Sequence, residues 1–206
     1  MDLDLGFYHA LMRVSEVAYL GIVAMGLWLV STRHVDSRHR LIVAAFAVSV
    51  LFIGIQVAVP VNNHWVNVVW PRFQGGLFLA AMTSKPKYRV ALTVAPAAVA
   101  TWLNVFVNGL TPFAEKMVEV SVFAAVIVMA SRQRDPWLRW AMMLYCLPTV
   151  MLSPSLAALA TQGAWESWVS LFEIVHLGRI AGIVLCAAWF WRSTAPRKPQ
   201  LELWPA

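Results

Sequence analysis

The chain has 206 residues, 60% of them hydrophobic and only 13% charged, with a net charge of +6 and a mean hydropathy of +0.67. A soluble domain carries about 25% charged residues, so this composition excludes an ordinary soluble fold. The two cysteines, Cys146 and Cys186, lie in apolar stretches without a spacing motif, which excludes a disulfide framework and a zinc knuckle.

Seven apolar stretches follow one another at 7–31, 41–60, 65–82, 90–109, 113–130, 138–159 and 168–191. A helical bilayer crossing takes about 20 residues. Backbone groups in hydrocarbon must be satisfied within their own segment, so each crossing is predicted to be a helix. Seven crossings use about two thirds of the chain and leave no room for a separate catalytic domain. The predicted fold is therefore all-α, a polytopic bundle of seven transmembrane helices. Residues 1–191 form one domain and 192–206 a short basic, proline-rich tail. The acidic start, MDLDLGFYH, runs into the first stretch without a small-residue cleavage site, so it reads as an uncleaved helix rather than a signal peptide. The fourth stretch contains Pro96 and Asn104, yet the order of the loops requires it.

Those loops alternate in charge. The first, third and fifth read STRHVDSRHR, TSKPKYR and SRQRDPWLR, and the tail carries Arg192, Arg197 and Lys198. The loops between them, VPVNNH, NGLTPF and TQGAWES, hold no Lys or Arg. Short loops rich in Lys and Arg stay on the cytoplasmic side. The pattern predicts an N-terminus outside, a C-terminus in the cytoplasm and a bacterial-type inner membrane as the location. It also accounts for the net positive charge, which meets anionic lipid at the cytoplasmic loops rather than nucleic acid. The tryptophans support this reading. Trp28, Trp137, Trp140, Trp189 and Trp191 fall at inner ends, and Trp65, Trp165 and Trp168 at outer ends, as interfacial belts do.

Two loops share a further pattern. Arg33, Asp36 and Arg40 have the same spacing as Arg132, Asp135 and Arg139. Arg72, Gly75 and Ala80-Ala81 in the third stretch match Arg179, Gly182 and Ala187-Ala188 in the seventh. These spacings raise a three-plus-one-plus-three duplication, with the fourth helix as inverting linker.

Ionisable residues inside a bilayer are costly and mark a polar interior by default. In chain order the candidates for a solute or ion pathway are Arg13, Glu16, Arg72, Asn104, Glu119, Glu173, His176 and Arg179. Glu173, His176 and Arg179 form a slanted stripe on one helix face. Projected through the topology, nearly all of them fall in the outer half. The pattern predicts a polar cavity open to the outside and closed below by an apolar plug. Pairing among the same six charges, Arg13, Arg72, Arg179, Glu16, Glu119 and Glu173, is the structural alternative. Small residues that allow close helix approach stand at Gly75-Gly76 and at Gly178 with Gly182. Pro71, Pro148 and Pro154 are expected to open or kink their helices.

Catalysis finds less support. A metal-dependent intramembrane hydrolase would need His9, His64 and His176 to converge, since no two histidines have the spacing that puts two ligands on one helix face. The seven-helix hydrolases of the alkaline ceramidase type share the topology, but their paired histidines on the last helix have no counterpart beside His176. No GxSxG or Ser–Lys arrangement is present, and the seventh stretch has no lysine for a retinal Schiff base. The sequence assigns no catalytic residue and no cofactor. In layout, the chain resembles the small sugar transporters and PQ-loop proteins. It departs from them in motif: the first and fifth stretches lack proline, and the Pro-Gln pair, Pro199-Gln200, is in the tail. The expectation is a transporter or channel for a small polar or charged solute. A non-catalytic subunit docking on a partner protein is the alternative and an intramembrane metal-dependent hydrolase the second, and a homo-oligomer or a membrane protein is the expected partner.

Overall fold

The computed structural model describes residues 6–33, 35–58, 64–106 and 112–195; the side chains of 56–58, 64–68, 106, 112–115, 160–161 and 165 lie outside the description, as does the tail from 196. Seven α-helices are present among the described residues: α1 Gly6–Thr32, α2 Ser37–Ala58, α3 His64–Met82, α4 Arg89–Phe106, α5 Pro112–Ser131, α6 Pro136–Gln162 and α7 Trp165–Thr194. Among the described residues there is no strand. Judged on the described residues, α1, α2, α6 and α7 are long and apolar enough to cross a membrane. The chain is thus compatible with an integral membrane protein. The others are shorter, and α3 is diluted by Asn67, Arg72 and Gln74.

Neighbouring helices run α1–α2–α3–α5–α6–α7 and close back onto α1. The fourth helix, α4, packs on α3 outside this ring and touches α5 only slightly. Exchanging α1, α2 and α3 for α5, α6 and α7 maps the order of neighbours onto itself.

Arg33, the segment 83–88 and the segment 132–135 gather at the end of the bundle where α7 finishes, here called the basic end. Each of the two aspartates found at matched spacing caps a helix there. Asp36 accepts the backbone N–H of His39 at 3.0 Å, and Asp135 accepts that of Trp137 at 2.9 Å. Both therefore satisfy orphan donors at a helix start, of α2 and α6. Pro136 then occupies the first turn of α6, where its missing N–H costs nothing. The two loops also close the ring in equivalent ways. Arg33 donates to the Thr194 carbonyl of α7 at 2.9 Å, and Gln133 donates to the Met82 carbonyl of α3 at 3.0 Å.

Proline and glycine explain two of the closest helix pairs. Pro148 cannot donate to the carbonyl four residues before it, that of Leu144. A Cβ added at Gly178 would lie 2.9 Å from that same oxygen, so only glycine lets α7 settle there. Pro96 likewise frees the Leu92 carbonyl, and a Cβ at Gly76 would lie 2.8 Å from it. Gly182 is equally confined: an added Cβ would lie 2.7 Å from the Ala141 carbonyl and from the Tyr145 backbone nitrogen. Cα–H groups facing a carbonyl give a small further attraction.

Because the neighbour of Gly182 is backbone, it cannot move aside as a side chain would. Gly182→Ala is expected to cost about 1–3 kcal/mol through overpacking. Gly21, with nothing within 4 Å of an added Cβ, should accept alanine without loss because alanine favours helix. Thermal unfolding of the two detergent-purified variants compares them; equal midpoints would contradict the close α6–α7 contact.

Candidate functional site

A cavity of about 580 Å³ lies in the half of the bundle away from the basic end. Helix α1 presents Met12, Ser15, Glu16 and Tyr19 to it, and α7 presents Phe172, His176 and Arg179. These are residues three and four apart, so each set forms one helix face. Ile53 of α2, Trp70, Pro71 and Gln74 of α3, and Lys116 and Glu119 of α5 complete the wall. The volume falls within the range of small-molecule sites, roughly 300–1,000 Å³.

The floor is hydrogen-bonded. Tyr19 and Tyr145 share a 2.6 Å bond between hydroxyls, both buried. The Gln74 amide N–H donates to Tyr145 Oη at 2.8 Å. Below these hydroxyls the rings of Phe46, Phe78 and Tyr145 meet edge to face, with centroids 5.4–5.6 Å apart. Phe46 and Phe78 are fully buried. This aromatic layer separates the cavity from the apolar half towards the basic end.

Of the residues singled out from sequence, Glu16, Glu119, His176 and Arg179 line the cavity together. Glu119 is buried and accepts from Lys116 Nζ at 2.8 Å. Glu16 pairs with Arg13 at 3.4 Å; Arg13 is 84% exposed at the rim and does not line the space. Arg179 donates to Thr149 Oγ1 at 3.3 Å. His176 meets Ser15 Oγ through Nδ1 at 3.3 Å, and its Nε2 has no partner among the described residues. Arg72 is buried in α3 without lining the cavity, although its charge reaches Glu119. Glu173 is off the cavity face, because α7 turns Phe172 inward beside His176. Asn104 sits on α4, outside the ring.

Sequence reasoning passed over Ser15, Tyr19, Gln74, Tyr145 and Thr149. Ser15 and Tyr19 carried a legible signal, since with Met12 and Glu16 they share a helix face. Tyr145 and Thr149 carried none, because an isolated hydroxyl in an apolar helix does not announce its partner. For the metal alternative, His9 is exposed on α1 and His176 buried on α7; the His64 side chain lies outside the described residues. Among the described residues no group of three His, Cys, Asp or Glu side chains is placed to hold a metal ion.

A second constellation lies at the basic end. His39 Nδ1 is 2.6 Å from Asp36 Oδ1, and its Nε2 is 2.8 Å from Ser193 Oγ. Distance alone would allow a Ser-His-Asp relay. However, Ser193 donates its hydroxyl hydrogen to the Trp189 carbonyl at 2.7 Å. It also stands in the last turn of α7, where the helix dipole disfavours a developing oxyanion. The arrangement is a clamp joining α2 to α7. His39 stacks on Trp189 at 4.4 Å, and Trp189 Nε1–H donates to Asp135 Oδ2 at 3.0 Å. Trp189 is therefore buried at 4% exposure, not in an interfacial belt. Trp28 and Trp191 remain exposed and stack on each other beneath Arg33.

Comparison with known proteins finds no matching family model, no similar curated sequence and no similar solved structure.

Burial raises the Asp36 carboxyl, but hydrogen bonds and charge from His39 outweigh it and hold the group below its ordinary value. A carboxyl lowered on folding contributes stability above its unfolded value, about pH 4, and loses it as pH falls through the folded value. With the Asp36 side chain 63% exposed, solvent screening keeps this below about 1 kcal/mol. Asp36→Asn retains the cap and removes the charge. Its midpoint should fall short of the parent's at pH 6 and converge with it towards pH 3; an unchanged gap would show that the charge contributes nothing.

Proposed function

We propose that the protein crosses a membrane seven times, with the basic end in the cytoplasm, and that its cavity admits a small polar or charged solute from the other side. The single observation that carries this reading is the cavity: ionisable side chains from α1, α5 and α7 surround one space in a bundle whose outer helix faces expose many large apolar side chains between the ends. Polar groups at membrane depth are retained where they line a pathway or a water-filled space. The alternating loops supply the sidedness, since all three basic loops gather at the far end from the cavity. The aromatic layer of Phe46, Phe78 and Tyr145 acts as the closed gate, and movement of one half-ring against the other would open it. The ring order supports two three-helix halves with α4 as the linker, in the manner of repeat-built transporters.

A transporter or channel is favoured over a docking subunit for one reason. A subunit needs an outer apolar face but has no use for a charged interior, whose desolvation costs several kcal/mol per ion.

Cysteine accessibility in sealed, uniformly oriented vesicles tests this. The native Cys146 and Cys186 are both fully buried and give a low background. A membrane-impermeant charged thiol reagent should label Met12→Cys and Ile53→Cys from the side away from the basic end only. Ala45→Cys, buried in the apolar half, should stay unlabelled, and Phe78→Ala in that background should raise its labelling about tenfold or more. Labelling of Ile53→Cys from the basic side, or from neither side, would sink the proposal.

A further inference from the structure

The polar groups around the cavity are unequal in what they still offer. Both lining carboxylates are already engaged, Glu119 by Lys116 and Glu16 by Arg13. Arg179 donates to the Thr149 hydroxyl and, among the described residues, has no carboxylate within ion-pair distance, although the charge of Glu119 reaches it. Among the described lining residues two cations, Lys116 and Arg179, face two carboxylates, Glu16 and Glu119, with Arg13 at the rim and the charge of buried Arg72 reaching Glu119 from outside the lining. The buried polar atoms left without partners on the lining residues are Trp70 Nε1, His176 Nε2 and Arg179 Nε. Indole and guanidinium nitrogens are donors only, so they can be satisfied by nothing but an acceptor. A buried donor without a partner is costly, and two such donors on one lining, beside a histidine nitrogen that donates in its Nε2–H tautomer, mark a place where an acceptor arrives. His176 is the most secluded, with 6% of its surface exposed.

The apolar part of the wall has its own character. Trp70 and Phe172 stand on α3 and α7, which are opposite members of the six-helix ring. Each is held by a stacked neighbour, Trp70 by Phe52 at 6.0 Å and Phe172 by Trp168 at 4.6 Å. Held rings on opposing walls suit a flat apolar body between them, at little cost in side-chain entropy.

From these two features we infer that the cavity selects a small organic anion, a carboxylate carried on an aromatic body. The carboxylate meets the Arg179 guanidinium, with Trp70 and the Nε2–H tautomer of His176 as further donors, and the ring lies between Trp70 and Phe172. A planar guanidinium suits a carboxylate because it offers paired N–H groups. The inference rests on the cavity being the solute site, and it adds the chemical class.

The test uses the full chain carrying Ile53→Cys, purified in nanodiscs, with three probes of nearly equal shape: benzoate, benzamide and benzylammonium. Benzoate should slow thiol labelling at least tenfold at saturation, benzamide weakly and benzylammonium not at all. Arg179→Gln should weaken benzoate protection tenfold or more. Trp70→Phe, which keeps the ring and removes the donor and so spares the fold, should weaken it severalfold. Better protection by benzylammonium, protection by none of the three, or unchanged benzoate protection in both variants would overturn the anion assignment. In those cases labelling without probe still shows the cavity open. Absence of that labelling instead removes the solute site itself, and the anion assignment with it.

Discussion

The Tyr145 hydroxyl is the point on which the bundle turns. It bonds Tyr19 of α1 and Gln74 of α3 from its own place on α6, so three helices from both halves of the ring meet at one oxygen. In a low-dielectric interior such a bond is strong when made and costly when lost. The same side chain presents its ring downward to Phe46 and Phe78. Its polar tip therefore belongs to the cavity and its apolar body to the layer that closes it. Above this oxygen lies the cavity, and directly below it the packed aromatic layer.

Close helix approach makes that meeting possible. Gly178 and Gly182 bring α7 against α6 at the level of Leu144, Tyr145 and Pro148, which sets the depth of Arg179 beside Thr149. At the far end the Asp36–His39–Ser193 clamp and the Asp135–Trp189 bond hold α2 and α6 to α7. The basic end is thus tied by side-chain hydrogen bonds, and the other end holds the charged cavity. Buried ion pairs alone would not predict this division, because pairs such as Lys116–Glu119 lie at the wall of an open space rather than in a filled core.

Much of this was legible in the sequence, for particular physical reasons. The helix boundaries follow from apolar length: the stretch at 65–82 corresponds to α3 His64–Met82, and that at 113–130 to α5 Pro112–Ser131. The matched Arg-Asp-Arg spacing in two loops was visible, and the structure gives its cause in two N-caps. The stripe on α7 was legible only in part. His176 and Arg179 face inward, but helical rotation brings Phe172 to the cavity in place of Glu173. Trp189 shows the limit of counting aromatics at helix ends, since its indole N–H found a carboxylate inside the bundle and left the surface.

By itself the sequence determined that seven apolar stretches form helices among the described residues, to within a few residues of their ends, and that the loops alternate in charge. These follow from local terms: apolar length, capping residues and proline. The tertiary structure alone decided that α4 stands outside a ring of six, that Tyr19, Gln74 and Tyr145 share a floor, and that Arg72 and Asn104 lie apart from the cavity. Those outcomes depend on which helix faces meet. That choice is made between side chains far apart in the chain, such as Gly182 and Ala141 or Tyr19 and Tyr145, and no single segment records it.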